Sequence, residues 1–158
     1  MKHIFALFLL PLLASATLAR ETTVQQTGSA AGGPVFQGRV DTVTAGGWIT
    51  GTPSGAKANF GLVARDPASP SGNVNYVDHG TGMHVKSTSI TAYVIVDADT
   101  RRIQGTAEID GVAGFTFVVV VSDLGEPGKN DTFSISLSSG YAASGTLGGG
   151  NVQIHPAN

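Results

Sequence analysis

Cysteine is absent from this chain of 158 residues, which excludes a disulfide framework and thiol chemistry. Charge is scarce as well. Asp, Glu, Lys and Arg make up 13% of the residues, and the formal net charge is −2. Lys and Arg are scattered apart from Arg101-Arg102, so no basic run predicts a nucleic-acid partner. Beyond the first residues no apolar run reaches membrane-spanning length, and no membrane span is expected. Helical periodicity is never sustained over three turns. There is no Gly-x-Ser-x-Gly elbow and no glycine motif opening a helix to cradle phosphate. These absences remove most enzyme classes that a sequence can announce, and they turn attention to architecture.

What is present is glycine and β-type residues. Gly contributes 22 residues. Phe115 to Val121 reads Phe-Thr-Phe-Val-Val-Val-Val, which predicts a strand buried on both faces. Asp131 to Leu137 alternates apolar and polar residues, as a strand with one wet face does. Similar segments recur between turn signals: Val35 to Val43, Trp48 to Thr50, Lys57 to Arg65, Asn73 to Asp78, Met83 to Ser87, Ile90 to Val96, Arg102 to Asp110, Tyr141 to Leu147 and Asn151 to His155. About ten strands at this cadence predict an all-β fold. The expected form is an antiparallel two-sheet β-sandwich, with a closed barrel as second choice. Without cross-links, such a fold is held by apolar strand faces, each Å² buried contributing about 25 cal/mol.

The first residues read differently. Lys2 and His3 precede the apolar stretch Ile4 to Leu13, and small residues follow at Ala14-Ser15-Ala16 and Thr17-Leu18-Ala19. This is the pattern of a secretory signal peptide over residues 1–19. Residues 20–34 are rich in Thr, Gln, Gly, Ser and Ala and read as a flexible leader. The expected folded domain is 35–158, secreted or periplasmic.

Four groups of residues could carry function. If Gly80-Thr81-Gly82 is a three-residue hairpin loop, Asp78 lies opposite His84 and His79 opposite Met83. Asp78, His79 and His84 could then bind a ligand or a metal, or serve a hydrolytic enzyme as acid and base. A structural cross-strand pair explains the same letters. Asp123, Glu126, Asn130 and Asp131 crowd one loop and could hold calcium, the one cofactor the chain suggests, although the spacing departs from the EF-hand pattern. A calcium-stabilised spacer domain is the corresponding reading, and a plain hydrophilic turn is the competing one. Asn151, Gln153 and His155 form a polar stripe on one side of the last strand. Trp48, the single tryptophan, follows Gly46-Gly47 and is either a stacking platform for a sugar ring or a core anchor.

Several stretches resemble the post-COAP domain of bacterial secreted proteins. They are Gly46-Gly47-Trp48-Ile49, Pro53 to Gly61, Gly72 to His79, His84 to Ser87, Asp131-Thr132-Phe133 and Gly148 to His155. The likeness covers nearly all of the chain after the leader. It implies an exported bacterial protein, and it implies no activity and no site residues. The combined expectation is a secreted binding or structural module, with a glycan or another surface protein as partner, rather than an enzyme.

Overall fold

A computed structural model describes residues 40–157. The expected signal peptide and leader, and the first residues of the expected domain, lie outside them. Among the described residues there is no helix, and therefore none long and apolar enough to cross a membrane.

Nine strands form: β1 Thr42–Ile49, β2 Ala58–Arg65, β3 Ser71–Asp78, β4 His84–Ile95, β5 Thr100–Ile109, β6 Val112–Ser122, β7 Thr132–Leu137, β8 Ala142–Thr146 and β9 Gly149–His155. The expected count was higher because two strands were each divided. Trp48 continues β1 without a break. The segments Met83 to Ser87 and Ile90 to Val96 are one strand, β4, in which irregular register at Ser87/Ser89 and Ile90/Ala92 interrupts the alternation. A bulge adds a residue and switches the side-chain period, so it reads in sequence as a strand end.

All pairings are antiparallel, and the order is β8-β7-β6-β5-β4-β3-β2-β1-β9. The ladder therefore joins every strand into one sheet, where two were expected. This sheet is strongly curled, a half-barrel, for a reason that topology alone supplies. β8 and β9 sit at opposite edges, yet only Leu147 and Gly148 separate them in the chain. Three Cα steps reach at most about 11 Å, so the edges must converge there. They do: Ser144 N–H donates to the Gly51 carbonyl at 2.9 Å, and Gly148 N–H to the Trp48 carbonyl at 2.9 Å.

Curling brings distant strands face to face inside. Phe60 of β2 stacks on Phe133 of β7 with ring centroids 3.9 Å apart, and Tyr76 of β3 lies parallel to the same ring at 5.9 Å. Val43, Ile49, Leu62, Val74, Val85, Ile103, Phe117, Val119, Val121, Ile135 and Val152 complete the buried face. Every second residue points the other way, and among the described residues no layer covers it. Phe115 to Val121 is thus not buried on both faces. Phe117, Val119 and Val121 face the core, while Thr116 and Val118 are exposed.

One end is closed by a buried ion pair. Arg101 Nε donates to Asp41 Oδ1 at 2.7 Å and a terminal nitrogen to Oδ2 at 2.8 Å, while the other terminal nitrogen reaches the carbonyls of Asp97, Ala98 and Thr100. Tyr93 donates to the same carboxylate. Burial pushes Asp41 towards protonation, but the bonds from Arg101 and Tyr93 outweigh it and hold the carboxyl below its usual range.

Candidate binding face

Alternation along β1, β2, β3 and β9 decides where the candidate residues go. Val43 and Ile49 on β1, Phe60 and Leu62 on β2, Val74 and Tyr76 on β3, and Val152 on β9 are buried. The residues between them face outward. Register then sets them in rows across the sheet. One row runs Gly149, Trp48, Asn59, Val77, His84, and the next runs Asn151, Gly46, Gly61, Asn75, Lys86. A third runs Gln153, Thr44, Val63, Asn73.

Trp48 is therefore no core anchor; it is half-buried on the outer face. It can lie flat there because its neighbours have no side chains. A methyl group on Gly148 would strike the indole ring, and one on Gly149 would come within 2.7 Å of the indole nitrogen. The Lys57 ammonium sits 4.7 Å from the ring centroid, a cation–π contact. Asn59, its partner on β2, accepts through Oδ1 from His79 Nε2 at 2.8 Å and places its amide nitrogen 3.5 Å from the Gly47 carbonyl. The imidazole is thus tied to the asparagine that pairs with Trp48 in the ladder.

Beside this row lies a trough. Gly46 and Gly61 are register partners. A methyl group on Gly61 would meet nothing within 4 Å, and one on Gly46 only the Phe60 carbonyl at 3.9 Å. Neither glycine is demanded by crowding, so together they leave a gap in the side-chain layer. A depression of about 280 Å³ lies here, lined by Thr44, Ala45, Gly46, Leu62, Asn151 and Gln153. Asn151 and Gln153 bring carboxamides to this depression, and register sets Asn75 at the far end of the Gly46–Gly61 row. On the far side of Trp48 a second cavity of about 590 Å³ opens between Gly148 to Gly150 and Pro127 to Lys129.

The expected histidine site is rearranged. Asp78 N–H donates to the Met83 carbonyl and Gly82 N–H to the Asp78 carbonyl, so the loop holds four residues, His79 to Gly82. The extra residue moves the register by one: His84 pairs with Val77, and Asp78 does not oppose it. Asp78 instead points inward and is fully buried. It accepts from Gly80 N–H at 2.7 Å and from the Tyr141 hydroxyl at 2.9 Å, and Tyr141 contacts the Tyr76 hydroxyl at 2.7 Å. Burial raises the Asp78 pKa, yet these donors prevail and hold it below the ordinary carboxylate value. Burial and the neighbouring Tyr76 and Asp78 push the Tyr141 hydroxyl far up. Asp78 is a core acceptor, while His79 and His84 share the outer face with Trp48.

The acidic loop is also built into the fold. Asp131 is fully buried and accepts Leu124 N–H at 2.8 Å and Val152 N–H at 2.7 Å. Asp123 accepts Ile154 N–H at 3.0 Å, and Glu126 accepts from the Asn151 amide at 3.0 Å. Asn130 is exposed. The carboxylates cap the free N–H groups of β9, which would otherwise be an open sheet edge. Among the described residues no three His, Cys, Asp or Glu side chains are grouped to hold a metal ion.

Sequence reasoning singled out Trp48, His79 and the Asn151, Gln153, His155 stripe without joining them. It missed Gly46, Lys57, Asn59, Gly61, Asn75 and Lys86 as parts of the same surface. Their signal was the recurrence of Gly and Asn at outward positions of predicted strands, where β-branched residues are favoured. Nothing matches this chain in comparisons with protein-family models, with curated proteins or with solved structures.

Proposed function

We propose that this chain is an exported bacterial binding module of the post-COAP kind, whose ligand is a glycan lying on the outer face of β9, β1, β2 and β3. The observation that carries the reading is an outward tryptophan laid on glycine backbone beside an open glycine trough flanked by Asn and Gln. Sugar rings present apolar C–H faces and a rim of hydroxyls. A half-buried indole on the outer face takes the first, and the exposed carboxamides of Asn75 and Gln153, able to donate and accept, take the second. A site on a rigid sheet also needs little ordering on binding, which favours affinity.

Because Trp48 is the single tryptophan, its fluorescence reports on the site directly. A glycan array should identify binders, and titration of a binder should shift the emission. Trp48→Ala should weaken binding by about thirtyfold or more, the usual scale for a buried aromatic anchor. No binder on a broad array, or unchanged affinity in that variant, defeats the reading.

A further inference from the structure

The proposed glycan face has a charge pattern that the chain as a whole does not. None of the outward residues of β9, β1, β2 and β3 is acidic, although acidic residues outnumber Lys and Arg by 11 to 9 in the chain. Basic side chains stand at its margins. Lys57 lies over Trp48, His79 bonds to Asn59, and Arg65 and His155 flank Thr42 in the last row. On β4, His84 follows Val77 in the tryptophan row and Lys86 follows Asn75 in the trough row, both exposed. Carboxylates stand at the borders of this field. Glu126 is bonded to Asn151, Asp110 accepts His84 N–H, and Glu108 on β5 is the register partner of Lys86.

From this we infer that the ligand is an anionic saccharide bearing carboxylates, a polyuronate, lying across the strands from Trp48 to Lys86. Three strand spacings separate β1 from β4, about 14 Å, so the trough takes more than one sugar. One ring stacks on Trp48 and displaces the Lys57 ammonium to its rim, where it meets that sugar's carboxylate. The trough carries the next units over Gly46 and Gly61, and a further carboxylate reaches Lys86. Specificity comes from pairing sugar carboxylates with cations at the margins of four strands, β9, β1, β2 and β3, whose outward positions hold no carboxylate.

The inference rests on the glycan reading, and one set of titrations separates the two. The intact protein is titrated with a uronic-acid homopolymer, with the same polymer reduced at its carboxyl groups, with a sulfated neutral polymer and with single-stranded DNA. The uronate polymer should bind about tenfold more tightly than its reduced form at low salt, and the gap should close at high salt. Lys86→Gln should lower affinity for the uronate polymer about fivefold, and Glu108→Gln should raise it about twofold, opposite signs that a structural effect would not produce. Equal binding of the reduced polymer overturns the charge inference and leaves the glycan reading intact. Failure of every polysaccharide overturns both. Tighter binding of the sulfated polymer makes the anion a sulfate, and DNA bound as tightly as uronate removes the saccharide; either result overturns the polyuronate.

Discussion

Gly105 of β5 and Gly61 of β2 sit in the same sheet for opposite reasons. Gly105 points inward at its partner Phe117. A methyl group there would run into the Ser89 carbonyl and come 2.7 Å from the phenyl ring, so glycine is what packing permits. Gly61 points outward, and a methyl group there would touch nothing. Glycine within a strand costs about 0.5–1 kcal/mol relative to alanine, and at Gly61 packing returns none of it. The first glycine is explained by the fold. The second needs another explanation, and an unfilled trough beside a tryptophan supplies one. Predictions that separate these two kinds of glycine therefore test the binding face against the framework that carries it.

The largest effect should come from the seam that holds the proposed binding side in place. Asp131→Ala removes one carboxylate from two backbone N–H groups, Leu124 and Val152, and uncovers the edge of β9. Hydrogen bonds to charged groups are worth about 1.5–3 kcal/mol each; a loss of about 3 kcal/mol in urea-denaturation stability is expected, with faster amide exchange in β9. If β9 exchanges as slowly as before, the carboxylate is not what protects it. Gly105→Ala comes next. Its methyl group forces the Ser89 carbonyl or Phe117 to move, and overpacking of this kind costs about 1–3 kcal/mol. A neutral outcome would mean that β4 yields at its bulge.

The interior should also answer to pH where the binding face does not govern stability. Asp41 and Asp78 have carboxyl pKa values held below their unfolded value, so both contribute stability that is complete above that value and lost as pH falls through the folded one. Tyr93 and Tyr141 are raised instead, so their contribution is complete below about pH 10 and lost above it. Thermal melts should be flat between about pH 5 and 9 and fall on either side. Asp78→Asn should shallow the acid limb; an unchanged limb would place acid sensitivity elsewhere.

How far could this have been read from the letters alone? Strand positions were readable because alternation survives burial on one face: Ala58, Phe60, Leu62 and Ala64 declare their side of β2. Sheet number was not readable, because a curled sheet and a sandwich bury the same residues, and the pairing of β1 with β9 spans most of the domain. The valines of β6 misled for a related reason. β-branched residues suit an exposed strand face as well as a core one, so Val118 looked buried. At the site, Trp48 and His79 stood out as isolated letters. Their union through Asn59 depends on register, and the Asp78 and His84 pairing failed on a single loop residue. Arg101 stood out only as half of the Arg101-Arg102 pair and proved to be a buried partner of Asp41, since one arginine at a strand start carries no periodic signal.

The smallest change in stability belongs to the substitution that should do most to binding. Gly61→Val places a β-branched side chain, favoured in strands, at an outward position where no atom lies within 4 Å. Stability should stay within about 0.5 kcal/mol of the parent or rise, because the unfolded chain loses the freedom of glycine and the folded chain meets no clash. The valine would nevertheless fill the trough between Asn59 and Val63, next to Gly46. Binding of any polymer that follows the trough should fall at least tenfold, while Trp48 emission in the free protein stays as it was. A variant that is as stable as the parent and binds as well would show that the gap in the side-chain layer is not where the ligand lies. It would return Gly61 to the class of glycines for which the fold offers no reason.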